Sequence, residues 1–179
     1  EIYPHHNIHR YTDLGVQCKT GTAKILSPFE VQITDAAGSV STLTTKNIII
    51  AAGARPFVPP IPGIELTGYV TSDTLWNWRE LPKRIVILGG GPIGSELTQC
   101  FARFGAKVSQ VEMAPRIMVR EDPEFSAMVQ KKFEAEGVNV LVNHKAKQFV
   151  VENGEKFLIA EHNGADVRGD MKSVIRAIL

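Results

Sequence analysis

Cysteine is nearly absent: of 179 residues only Cys18 and Cys100 carry a thiol, far apart and in neither a Cys-x-x-Cys pair nor any metal-ligand spacing. A disulfide framework is thereby excluded. Cys100, inside a helical pattern, is expected to be a small buried hydrophobe rather than a reactive thiol. An excess of one charge is missing too. Lys and Arg total 20 against 19 Asp and Glu, a net charge of +1, which removes the electrostatic case for a nucleic acid or an anionic membrane surface as partner. No apolar run approaches the roughly 20 residues that a membrane helix requires, and no signal-peptide succession of basic, apolar and small residues opens the chain. The expectation is a cytoplasmic protein. Repeats and low-complexity segments are also lacking. What is present is 44% hydrophobic residues, enough for a real core in one domain or parts of two.

The first stretch, to about Gly63, has short apolar runs parted by turn residues such as Ser27-Pro28 and Ala36-Ala37-Gly38, the pattern of a small β-meander. It closes in Asn47-Ile48-Ile49-Ile50-Ala51-Ala52-Gly53, an apolar run suited to a strand buried on both faces. Pro56, Pro59, Pro60 and Pro62 before Gly63 can continue neither a helix nor a central strand, because each proline removes a donor and fixes φ, so an interdomain linker is placed there. Ser72-Asp73 is positioned to cap a short helix ending near Leu81-Pro82.

The second half reads β-α-β. Arg84 to Leu88 is a buried strand, Pro92 to Phe104 a helix with Ile93, Leu97, Phe101 and Phe104 on one face, and Ala106 to Glu112 the next strand, with Gly105 as the left-handed helix stop. A second helix runs from Pro123 to Glu136 behind Asp122 as N-cap, with Phe125, Val129 and Phe133 one turn apart, and Val138 to Val142 gives a third strand. Two crossovers in succession predict a parallel sheet. Strands at Gln148–Glu152 and Lys156–Glu161, joined at Asn153-Gly154 and followed by Asn163-Gly164, predict a three-stranded antiparallel meander. The fold class is α/β, a Rossmann-like three-layer arrangement of helices, parallel sheet and β-meander, preceded by a further β segment.

The chemistry sits in Gly89-Gly90-Gly91-Pro92-Ile93-Gly94. With 15 glycines in the chain, a Gly-x-Gly-x-x-Gly match alone is weak. This one leaves a buried strand, opens a helix, and is followed by Glu112 at the end of the next strand, which is the setting a dinucleotide fingerprint requires. Gly89 makes the tight turn, Gly91 lacks the Cβ that would block a pyrophosphate, and Gly94 lets the helix approach the sheet. Backbone N–H groups around Pro92, Ile93 and Gly94, less the one proline lacks, point from a positive helix end toward phosphate. The alternative is a tight strand-to-helix turn with no ligand. Glu112 is expected to accept the adenosine ribose hydroxyls and to repel a 2′-phosphate, favouring NAD over NADP. Arg116 and Arg120 are either solvated loop arginines or neutralisers of such a phosphate. Glu96 by spacing is a first-turn acid favoured by the helix dipole. His5 and His9 would lie one turn apart if Pro4 opens a helix, but without a third suitable ligand nearby the cluster with His6 reads as a solvated face.

Taken together, Ile48-Ile49-Ile50-Ala51-Ala52-Gly53-Ala54-Arg55-Pro56, Val58-Pro59-Pro60-Ile61-Pro62-Gly63 and Gly89 to Glu96 resemble the pyridine nucleotide-disulfide oxidoreductase family. Glu112-Met113-Ala114-Pro115-Arg116 with Arg120-Glu121-Asp122-Pro123 resembles especially the mercuric-reductase-like members, beside the dihydrolipoamide dehydrogenase type. The resemblance implies that residues 1–70 are the last part of the first segment of a FAD domain, with Ala52 and Gly53 near the flavin. Residues 71–179 would be the NAD(P)-binding Rossmann domain, incomplete at its C-terminus. It also assigns Glu96 a place beside the nicotinamide. The cofactors implied are NAD in this chain and FAD in a parent enzyme, an expected homodimer that carries hydride from NADH to FAD and electrons on to a dithiol or another acceptor.

The chain departs from the family pattern in lacking a second, FAD-holding Gly-x-Gly-x-x-Gly, a Cys-x-x-x-x-Cys pair and the closing His-Glu part. It is therefore expected to bind a dinucleotide without turning over alone. Where the family's NAD domain ends in an apolar strand and an Ala-Thr-Gly-Arg-like motif, this chain reads Gly169 to Leu179 differently. Two rival readings stand: another Rossmann nucleotide enzyme such as a methyltransferase, and a non-catalytic binding fragment.

Overall fold

The computed structural model describes residues 8–168 and the backbone of residues 176–178. The chain divides into two compact units, residues 1–53 and 54–179. In the first, helix α1 (Ile8–Asp13) has no buried residue, and strands β1 (Thr22–Ser27), β2 (Glu30–Thr34) and β3 (Val40–Thr44) form an antiparallel sheet in that order. The predicted turn at Ala36-Ala37-Gly38 is held by the Asp35 carboxylate, which accepts the N–H groups of Ala37 and Ser39 at 2.9 and 2.8 Å. His9 lies on α1, exposed; Pro4, His5 and His6 fall outside the described residues.

The strand expected at Asn47–Gly53 does not form. Ile49 and Ile50 are 90% and 74% exposed, in no regular element. Such a run becomes a buried strand only where neighbours pair its backbone and cover both faces, and none does so among the described residues of this unit.

The second unit is built on a parallel sheet of β4 (Arg84–Leu88), β5 (Lys107–Val111), β6 (Asn139–Leu141) and β10 (Arg176–Ile178), in the order β10-β4-β5-β6. Strand β4 is buried on both sides, and its alternation sorts the core into two halves. Ile85 and Ile87 join Val108, Phe101 and Phe133 under helices α2 (Pro92–Arg103) and α3 (Pro123–Ala135). Val86 joins Phe149, Leu158 and Ala160 from the other face. That second layer is the antiparallel meander β7 (Lys145–Glu152), β8 (Glu155–His162) and β9 (Ala165–Val167). Its turns have Asn153 and Gly154 at φ 52° and 77°, and Asn163 and Gly164 at 51° and 76°, the two positive values a type I′ turn requires. The three layers expected of the α/β fold are thus present. Strand β7 begins at Lys145 rather than Gln148, because a register shift between Ala146 and Gln148 interrupts the alternation that sequence periodicity reads.

Three local expectations are corrected. The buried stripe of α2 is Ser95, Thr98 and Phe101, while Ile93 and Phe104 are 59% and 71% exposed; small residues let the helix lie close to the sheet. Cys100 consequently faces outward and is exposed. The short helix after Ser72-Asp73 shrinks to a single 3₁₀ turn, Leu75–Asn77. The Ser72 carbonyl, which a regular helix would offer to the backbone of Trp76, accepts the Trp76 indole N–H at 2.7 Å instead. At the C-terminus, Arg176 to Ile178 pair in parallel with Ile85 to Ile87, supplying a fourth strand from the stretch that departs from the family pattern.

Candidate functional site

The glycine-rich turn leaves the carboxyl end of β4. Gly89 has φ 110°, and its N–H donates to Val111 O at 2.8 Å, so the strand ladder runs into the turn itself. Gly91 is the N-cap of α2, at φ −73° and ψ −179°, with no side chain capping the helix and Pro92 in its first turn. The first N–H groups of α2 are left for an external acceptor. A Cβ at Gly94 would lie 2.4 Å from Gly89 O, so the helix can start this close to the turn only with glycine there; a Cβ at Gly91 would meet nothing within 4 Å.

Glu112 follows β5. Its Oε2 accepts the Gly90 N–H at 2.6 Å and its Oε1 the Ala114 N–H at 2.7 Å. Each carboxylate oxygen keeps a second acceptor direction for hydroxyl donors. Gly90, unassigned by motif reasoning, is therefore tied through its backbone to Glu112. A Cβ there would stand 3.0 Å from both Glu112 Cγ and Ile117 Cγ2. Gln110 was equally missed. Fully buried, it donates its amide to Gly89 O at 3.1 Å and to Ser95 Oγ at 3.2 Å, pinning the turn from below. An amide within a strand otherwise suited to the core was the available signal.

Arg116 is neither a freely solvated arginine nor one of the residues that line the grooves beside the glycine turn. Its guanidinium donates to Met118 O, Val119 O and Glu121 O. Arg120 is exposed.

Two grooves adjoin the turn. One, of about 320 Å³, is lined by Gly89, Gly91, Pro92, Ile93 and Gly94 together with Phe57. The other, about 500 Å³, has Glu112, Met113, Gly89, Phe57, Pro60 and His144 on its walls. His144 stacks on His162 at 4.2 Å between ring centroids, with its Nδ1 at 2.6 Å from Val142 O. Lys147, also on this wall, is held charged above its ordinary range, chiefly by its hydrogen bond to Asp166 at 2.7 Å. Glu96 is exposed on α2 and lines a neighbouring groove of about 360 Å³ between α2 and α3, with Gln99, Met118, Met128 and Lys132. Ala52 and Gly53 belong to the other unit, exposed and outside regular structure. Among the described residues, no group of three His, Cys, Asp or Glu is arranged to hold a metal ion. No described helix is long and apolar enough to cross a membrane.

The sequence and the fold are similar to those of known proteins. The family described as "Pyridine nucleotide-disulphide oxidoreductase" matches residues 5–176. A mercuric reductase of Streptomyces lividans is 36% identical over 135 residues, covering 73% of this chain and 28% of that protein. A dihydrolipoyl dehydrogenase of Chlorobaculum tepidum is 38% identical over 128 residues, covering 70% and 27%. The solved HOCl-induced flavoprotein disulfide reductase RclA from Escherichia coli superimposes with a TM-score of 0.71 at 27% identity, covering 95% of this chain and 37% of that one. The chain thus spans about a quarter of the length of its curated relatives. On the glycine turn, the sheet order and these matches, the chain belongs to the pyridine nucleotide-disulphide oxidoreductase family.

Proposed function

We propose that the chain binds NAD(H) across the carboxyl end of its parallel sheet, as the nicotinamide-nucleotide-binding part of a flavoprotein that passes hydride from NADH to FAD and electrons to a dithiol, a metal or another acceptor. The observation that carries this reading is Gly91. Its backbone conformation is open to any residue and a Cβ there would meet nothing within 4 Å, so no close contact within the fold requires glycine, and the bare backbone fits the close approach of a pyrophosphate. The uncapped start of α2 and the remaining acceptor directions of Glu112 fit the phosphate and ribose of the same ligand.

Preference for NAD over NADP follows from the charges at the larger groove. Glu112 would repel a 2′-phosphate, the Arg116 guanidinium is committed to loop carbonyls, and Lys147 is paired with Asp166 and Glu161. Lys145, exposed beside them, is the cation that a 2′-phosphate would have to recruit. In the whole protein, residues 1–70 would contribute to the FAD domain, with Ala52 and Gly53 near the flavin and Glu96 beside the nicotinamide. Residues 71–179 would be the NAD domain of a cytoplasmic homodimer. Bound nicotinamide supplies the hydride; the chain's residues bind and orient it.

Replacing Gly91 by valine should cost no more than the roughly 1 kcal/mol of a poorer N-cap while raising the NADH dissociation constant at least about tenfold, read by titration of nucleotide fluorescence. Unchanged affinity would sink the assignment. Tight binding of S-adenosylmethionine in place of NADH would move the chain to the methyltransferase reading, and binding of neither to a non-catalytic one.

A further inference from the structure

The loop between β5 and α3 is tied to the glycine turn by a continuous relay of hydrogen bonds. Arg116 Nη1 donates to Met118 O at 3.2 Å and Glu121 O at 2.8 Å, and Nη2 donates to Val119 O at 2.8 Å. The fork thus gathers carbonyls of one turn, which the Glu121 N–H closes onto Met118 O at 2.9 Å. Met118 is held at φ 50°, a left-handed conformation that a residue with a side chain rarely takes. In that conformation its N–H donates to Gly90 O at 2.6 Å. On the other side of Gly90, the N–H donates to Glu112 Oε2 at 2.6 Å. Ile117, fully buried, fills the space beside Gly90, and its carbonyl accepts the Ser126 hydroxyl at 2.5 Å, anchoring the loop to α3.

We propose that Arg116 is a positioning residue for nucleotide binding: by bracing the 118–121 turn it fixes Met118 against Gly90, and through Gly90 the orientation in which Glu112 meets the ribose. The inference rests on the nucleotide reading above and deepens it. A strained residue at φ 50° persists only where its surroundings over-determine it, and here they are the guanidinium on one side and Gly90 O on the other. The planar fork is what the role needs. Lysine, with one compact ammonium on a flexible stem, keeps the charge but cannot hold carbonyls in a fixed plane.

The test is a double-mutant cycle on the full chain, with NADH and NADPH dissociation constants measured for the unaltered protein, R116M, E112A and the pair. R116M should weaken NADH binding about tenfold, within the range for partners in one hydrogen-bonded network. That loss should disappear in the E112A background, and R116K should lose as much as R116M. An NADH analogue lacking the adenosine 2′-hydroxyl should be less sensitive to R116M than NADH itself, a readout that a general loosening of the fold would not produce. Additive losses, full rescue by lysine, or an NADPH affinity that falls more than that of NADH would overturn the proposal. Should R116M fail to fold, R116K and the analogue carry the same decision. If E112A weakens NADH binding while R116M and R116K do not, this inference fails alone. If the unaltered chain binds no NADH, the nucleotide reading fails and this one with it.

Discussion

Four glycines in a short stretch do four different things. Gly89 takes a positive φ, Gly90 makes room for Glu112 and Ile117, Gly91 leaves open space, and Gly94 admits the Gly89 carbonyl. The contrast between the last two separates folding from binding. Gly94→Ala would place a methyl 2.4 Å from a backbone oxygen, and neither the strand end nor the helix start can move without loss of packing. A destabilisation of about 1–3 kcal/mol is expected, measurable by urea unfolding; a Gly94→Ala variant as stable as the parent would refute the close packing. Motif spacing alone identified Gly89, Gly91 and Gly94, because strand, turn and helix start are neighbours in sequence. The parts played by Gly90, Gln110 and Arg116 were not legible, because each depends on partners from another element or on the path of a loop.

Between elements, burial was read correctly for the first two strands of the parallel sheet, wrongly for Asn47–Gly53, and less well for the helices. Strand β4 lies inside its sheet, so Ile85, Val86 and Ile87 are all covered and its apolar run is unambiguous. Helix α2 has apolar residues on more than one side, and a helical period alone does not say which side meets the sheet. Close approach decided it in favour of Ser95 and Thr98 over Ile93 and Phe104. The two helices are also joined at their ends. Glu136, just past α3, accepts from Arg103 of α2 at 2.9 Å and also holds Lys132 and Gln99. The Arg103 hydrogen bond is the main cause that brings the Glu136 carboxyl from 4.5 down to about 2, against the opposing effect of desolvation. Since the folded-state value is the lower one, the stabilisation is fully present above the unfolded value and is lost as pH falls toward about 2. The melting temperature should therefore decline between those two pH values, and less steeply in Glu136→Gln. Identical acid profiles for both proteins would show that this junction contributes nothing.

At the scale of the molecule, the two compact units are unequally finished. Residues 54–179 carry both core clusters, whereas the first unit leaves Ile25, Phe29, Val40, Ile49 and Ile50 exposed. Side chains this exposed add little to the stability of the chain as it stands, so Ile50→Thr should alter the unfolding free energy by no more than about 0.5 kcal/mol. A calorimetric loss of several times that amount would mean that the run is packed in solution.

The order of strands and helices, the turns at Asn153-Gly154 and Asn163-Gly164, and the glycine turn between β4 and α2 were determined by the sequence itself. They depend on local periodicity, on backbone conformations that particular residues favour, and on spacings of a few residues. Only the tertiary structure decided that Asn47–Gly53 stays uncovered, that Arg176–Ile178 joins the sheet, that α2 turns its small residues inward, and that Arg116 serves the loop. Those outcomes depend on which distant segments supply a pairing edge, a packing surface or a carbonyl, and such contacts leave no periodic trace in the chain.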